Sequence, residues 1–106
     1  MAKYLVSGSY TPEGLKGLQK DKASGRRDAV AKGAESVGGK LDAVYYTLGQ
    51  DDVLVIVDMP DIVSVAALAV AANASGLVNV RTTALMTVEE TDRALAKSVA
   101  YRPPGR

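Results

Sequence analysis

Two adjacent carboxylates, Asp51 and Asp52, interrupt the stretch Tyr45 to Val57, YYTLGQDDVLVIV, and adjacent acids are the first place to look for acid–base chemistry. If they converged on one substrate, their repulsion would raise one pKa and leave that group a base. Neighbours in a turn seldom aim at one point, and aspartate is a common turn residue, so a structural role is the expectation. Arg81 falls inside a strand-like run, where its charge must reach solvent or a carboxylate; an ion pair with Asp58 or another acid is expected rather than anion recognition. Arg26 and Arg27 stand near the start of a helical piece. Gly8, Gly14 and Gly17 make no phosphate loop, because no lysine-serine or lysine-threonine pair follows them.

Composition narrows the chemistry further. The 106 residues contain no histidine and no cysteine, and their only aromatics are five tyrosines. Disulfides, a thiolate nucleophile, a histidine general base and histidine or cysteine ligation of zinc or haem are thereby removed, so no metal and no cofactor is expected. Acid and base work would fall to Tyr, Asp and Arg. The 13 basic and 12 acidic residues balance, with no basic stripe and no aromatic-interleaved surface for stacking bases, so no nucleic-acid partner is expected. The least charged region, Ile62 to Val80, contains Asn73, Ser75, Gly76 and Asn79 and follows Pro60 and Asp61, which reads poorly as a membrane span. No apolar signal core follows Met1, since Lys3, Tyr4 and Ser7 interrupt it. A soluble, cytoplasmic protein is expected.

These side chains must be positioned by a short series of elements. Lys3 to Tyr10 alternates as a strand. Thr11 suits a helix cap, Pro12 the first helical position and Glu13 the positive end of the helix. Gly14, Gly17 and Gly25 weaken the helix, a break is expected near Lys22 to Gly25, Ser24 is placed to cap the second piece, and Gly38-Gly39 ends it. Lys40 to Leu48 and Val53 to Met59 predict two strands joined by a short hairpin over Gly49 to Asp52. Pro60 stops the ladder, Asp61 caps a charge-free helix from Ile62 to about Ala74, and Gly76 closes it. That helix is apolar around most of its circumference, a pattern that predicts burial on more than one side. The run LVNVRTTALMTV predicts the last strand, and Thr87 with Glu90 has the spacing of a capping box for a short third helix.

The order β-α-β-β-α-β predicts an α+β, ferredoxin-like sandwich: a four-stranded antiparallel sheet with helices on one face, plus a short C-terminal helix. One domain is expected over residues 1–100, with an irregular tail over 101–106. The third strand is apolar on both faces: Val53, Val55 and Val57 on one, Leu54 and Ile56 on the other. At about 25 cal/mol per Å² of apolar surface, exposing a whole second sheet face is costly, so a second copy packed sheet to sheet is the expected cover. A higher homo-oligomer, built through the charge-free helix, is the alternative.

Taken together, KYLVSGSYTPEGLKGL, ESVGGKLDAVYYTLGQDDVLVIVDMPD and VRTTALMTVEE resemble the GYD domain family, small proteins related to the dimeric α/β-barrel superfamily. Gly49 and Asp52 correspond to the glycine and aspartate of the family's signature, and Asp51 stands where the signature has tyrosine. The resemblance implies a ferredoxin-like fold and a sheet-to-sheet dimer. It implies no established reaction. It also implies that a cleft between sheet and helices, where open, holds a small ligand, which makes Tyr4, Tyr10, Tyr45, Tyr46 and Arg81 the candidate pocket residues. Tyr45 and Tyr46 must face opposite sides of the sheet, so only one of them can line such a cleft. The functional expectation is a small-molecule-binding or accessory protein; the alternatives are a cofactor-free monooxygenase or isomerase, and a structural protein forming higher oligomers.

Overall fold

Valine and aromatic residues alternating with small polar ones fold Ala2–Tyr10 into β1, and the computed structural model describes this and every other part of the 106-residue chain. The remaining elements follow as α1 (Pro12–Ser36), β2 (Lys40–Tyr46), β3 (Val53–Met59), α2 (Ile62–Ala74), β4 (Val78–Leu85) and α3 (Val88–Leu95). The four strands form one antiparallel sheet in the order β2-β3-β1-β4, the ferredoxin-like arrangement. Register places Val6 opposite Val55 and Tyr4 between Val57 and Ala84, so these side chains share the face covered by α1 and α2. The core lies there: Tyr4, Val53, Val55, Val57 and Met59 from the sheet meet Ala34 of α1 and Val65 of α2. Leu5, Leu54 and Ile56 point to the opposite face, over which no helix packs, and remain half-buried.

Local chemistry sets the helix boundaries. The Thr11 hydroxyl accepts a hydrogen bond from Gly14 N at 3.2 Å, with Pro12 just inside the helix start, and Gly38, at φ +81°, takes the left-handed position that ends α1. The expected break in α1 falls on Lys22, at φ 66° and ψ 165°, a conformation that costs a non-glycine residue about 1–3 kcal/mol. Ser24, expected to cap the second piece, makes no side-chain hydrogen bond; the chain turns two residues before it. Asp61 caps α2 by accepting from Ser64 N at 2.8 Å. Thr87 and Glu90 close the expected capping box on α3, with reciprocal bonds of 3.0 and 2.9 Å.

Three expectations need correction. The connection between β2 and β3 is not a short hairpin over Gly49 to Asp52, because β2 ends at Tyr46 and the loop runs from Thr47 to Asp52. Thr47 N donates to the Asp52 carbonyl at 2.9 Å to close it, and Leu48 lies in solvent. The last strand likewise stops at Leu85. Finally, α2 is not buried on more than one side of the single chain. A helix lying on a sheet touches it along one stripe, here Val65 with Leu68 and Ala72, and no layer lies above Ile62, Val63 and Val70, which are 67–72 % exposed. No helix is long and apolar enough to cross a membrane.

Beyond β4 the chain leaves the sandwich. Every residue of α3 except half-buried Glu90 is exposed, and Met86, Val88, Leu95, Val99 and Tyr101 stand free of any core. The radius of gyration is accordingly 16.8 Å, against about 13 Å for a compact chain of this length.

The start of α1 presses against the turn between α2 and β4 so closely that a Cβ on Gly14 would collide with the Leu77 carbonyl oxygen, whereas a Cβ on Gly17 meets nothing within 4 Å. That oxygen also accepts from Thr11 N at 3.0 Å, so it has no freedom to retreat. Gly14→Ala is therefore expected to lower stability by about 2 kcal/mol or more, and Gly17→Ala to raise it by about 0.5–1 kcal/mol through helix propensity. Urea titration of the two variants checks both signs.

Candidate functional site

Six valines, Val6, Val44, Val53, Val55, Val78 and Val80, contribute one side chain or two from every strand to the floor of a recess under the helices. Gly8 lies among them, its missing side chain leaving Val53 and Val78 room that a Cβ would take at 3.1 and 3.2 Å. Small residues of α2, Ala69 and Ala72, with Leu68 and with Val30 of α1, form the roof. The enclosed volume is about 100 Å³, and 12 of its 15 lining residues are hydrophobic, so the space favours an apolar occupant. A more open recess of about 410 Å³ adjoins it between the first half of α1 and the second half of α2, where Gly14 and Gly17 contribute no side chain. The two recesses share Tyr10, Arg26, Val30, Leu68, Ala72 and Val78.

Polar groups are few and gathered. Tyr10 at the end of β1 and Tyr46 at the end of β2 bring two phenols to the rim, and Arg26 and Arg27 enter from α1 just past the Lys22 break. Burial pushes the Tyr46 phenol from its ordinary value of 10 up to about 12; the neighbouring Tyr10 adds to the rise, and the Arg26 guanidinium opposes it. Tyr46 is therefore a neutral hydrogen-bond donor throughout the physiological range. The nearest acid to Arg26 is Asp21 at 3.7 Å, and to Arg27 it is Asp28, also at 3.7 Å.

The five candidate pocket residues separate onto two faces. Tyr10 and Tyr46 line the recess. Tyr4 does not: it occupies the same face farther along β1, where it is 8 % exposed within the core. Tyr45, one residue from Tyr46, points to the opposite, open face, as strand alternation requires. Arg81 lies on that open face too, with its guanidinium holding both oxygens of Asp51 at 3.0 and 2.9 Å. Asp51, rather than Asp58, is thus its partner; Asp58 instead shares Lys3 with Asp42, at 3.0 and 2.9 Å, and the hydrogen bonds that the ammonium donates, first to Asp42 and then to Asp58, raise the lysine pKa.

Asp51 and Asp52 part company in the same way. While Asp51 faces Arg81, Asp52 accepts from Tyr10 N at 2.8 Å and donates its own N–H to the Gly8 carbonyl at 2.8 Å, carrying the β1–β3 pairing past the end of the strand. They do not converge on one point, and each is engaged in bonds that hold the loop to the sheet. Gly49 sits in the loop, its N–H on the Thr47 hydroxyl at 3.1 Å. No group of three or more acidic side chains is arranged as a metal site.

Arg26 and Arg27 were not among the candidates. A signal existed: Arg26 precedes Val30 by one turn and Gly33 by two, so it shares the stripe of α1 that packs inward.

Comparison with curated proteins and with solved structures found no match to this chain. The family comparison did: residues 4–95 match the model described as the GYD domain. That span takes in all of the sheet but its first two residues, both recess-forming helices and the Gly49–Asp52 loop, and on it the chain belongs to the GYD domain family.

Proposed function

We propose that the chain is a cytoplasmic homodimer that binds a small molecule in the recess between sheet and helices. The observation that carries this is the composition of the recess: an almost wholly apolar lining whose few polar groups, two phenols and two guanidinium groups, lie together at one side, the usual character of a small-molecule site. Support for the dimer comes from the open sheet face. Leu5, Leu54 and Ile56 form an apolar strip on it, flanked by Lys3 held between Asp42 and Asp58 and by the Arg81–Asp51 pair. A second copy related by a two-fold axis covers such a strip while leaving these charged groups at its edges.

The reading of the chain as a cofactor-free monooxygenase or isomerase has less support. It requires a base at the substrate, and the enclosed recess holds no carboxylate, while its Tyr46 is displaced away from neutrality. Assembly into higher homo-oligomers is favoured by one observation, the exposed Ile62, Val63 and Val70 stripe of α2.

Three results test these readings. Ile56→Asp, on the open face, is expected to yield a folded monomer by light scattering and circular dichroism, whereas Val55→Asp, buried against the helices, costs roughly 3 kcal/mol or more and unfolds at lower denaturant; an Ile56→Asp variant that stays dimeric refutes the sheet-to-sheet interface. Native mass spectrometry of the purified chain is expected to show a dimer with a retained small mass, lost in Ala69→Phe, which fills the recess. Because the folded state holds the Tyr46 proton to about pH 12 and the unfolded state releases it near 10, stability should fall between those values in the parent protein relative to Tyr46→Phe. Thermal melts across pH 9–12 read the difference, and parallel curves count against a raised pKa for the half-shielded phenol.

A further inference from the structure

We propose that the recess takes a small apolar carboxylic acid, with the hydrocarbon part on the valine floor and the carboxylate held between the Arg26 guanidinium and the Tyr46 hydroxyl. The proposal rests on the reading of this recess as a ligand site and goes on to name the class of ligand.

The charges around the enclosed recess are one-sided. Its titratable residues are Arg26, Arg27, Tyr10 and Tyr46: two cations and two neutral phenols, with no carboxylate among them. An ammonium ligand would meet two guanidinium groups there and no carboxylate, and a wholly neutral one would leave those groups only their 3.7 Å contacts with Asp21 and Asp28. Arg26 is held only by a long ion pair. Its contact with Asp21 spans 3.7 Å, beyond hydrogen-bond length, and Arg27 is no closer to Asp28. Arg81, on the opposite face, shows what a satisfied arginine looks like in this molecule: two bonds of about 3 Å to a single carboxylate. A ligand carboxylate would give Arg26 hydrogen bonds of that length, in a site where partial exclusion of water strengthens them.

The second donor is Tyr46. With its phenol kept protonated, it presents an O–H to the ligand rather than a competing negative charge, and a ligand anion accepts from it as readily as from Arg26. Size sets the other half of the ligand. The space of about 100 Å³ suits one ring or a short alkyl chain, and the adjoining recess, bordered by Arg26 and by Asp21, leaves room at the charged end, where the ligand carboxylate would replace Asp21 on Arg26.

The test uses three probes of one shape and different charge: 3-phenylpropanoate, 3-phenylpropanamide and 3-phenylpropylamine, titrated into the full chain at neutral pH by calorimetry and ligand-detected NMR. The acid is expected to bind about tenfold more tightly than the amide, with the amine weakest, a difference of about 1.4 kcal/mol between the first two. Arg26→Gln should erase the advantage of the acid over the amide, while Ala69→Phe should weaken both. Leu68→Phe serves as a second filling variant, and circular dichroism reports the fold of each. Equal binding of acid and amide, or an acid preference that survives Arg26→Gln, overturns the carboxylate class; if the filling variants still weaken both probes, the recess stands as a ligand site. Acid binding untouched by either filling variant overturns the recess itself, and absence of acid binding overturns the proposal.

Discussion

The paired burial of β1 and β3 is the constraint on which the other parts of this molecule depend. These two strands occupy the centre of the sheet and are hydrogen-bonded along both edges, so neither can shift without breaking two ladders. A slip of one residue would exchange Val53, Val55 and Val57 for Leu54 and Ile56 under the helices, moving every side chain to the other face. Fixed register does more than make a core. It decides that Tyr46 and Tyr10 look toward the helices and that Tyr45 and Arg81 look away from them. The Asp52 side chain secures the far end of this pairing through Tyr10 N, which explains why an aspartate in that loop suits the fold.

The molecule divides its polar chemistry between the two sides of that sheet. On the open side, charged groups find one another: Lys3 with two aspartates, Arg81 with one. On the helix side, two arginines and two tyrosines border an apolar space, with only long contacts to acids. The difference follows from the elements that carry them. Strand residues directly across a ladder are close enough for short ion pairs, as with Lys3 and Asp58. Arg26 and Arg27 instead extend from a helix whose path breaks at Lys22, over a floor made of valine, where no acid stands opposite.

Much of this was legible in the sequence. Capping residues such as Thr11, Asp61 and the Thr87–Glu90 box announce helix starts through chemistry that acts within three residues, and the two-sided apolar pattern of β3 marks it as a central strand. The ends of β2 and β4 were read too long because Thr47, Leu48 and Met86 have strand-compatible side chains; what stops those strands is the lack of a partner, which no local pattern records. The exposure of the α2 outer stripe escaped for a related reason, since apolarity all around a helix states what it tolerates and not how many layers surround it. Of the site, the tyrosine alternation was readable, whereas the contribution of Arg26 shows itself only when its register with Val30 and Gly33, along the helical piece after the Lys22 break, is followed back from the apolar residues to the charged one.

Nothing in the single chain packs the segment that carries α3 into the sandwich. An eight-residue helix is far below the length at which helices persist alone in water, and here no core adds to its backbone bonds and capping box. Its amides are consequently free to open while those of β1 and β3 wait for the whole sheet to come apart, so the chain has two distinct scales of protection. A single melting temperature describes the sandwich and is silent about this arm.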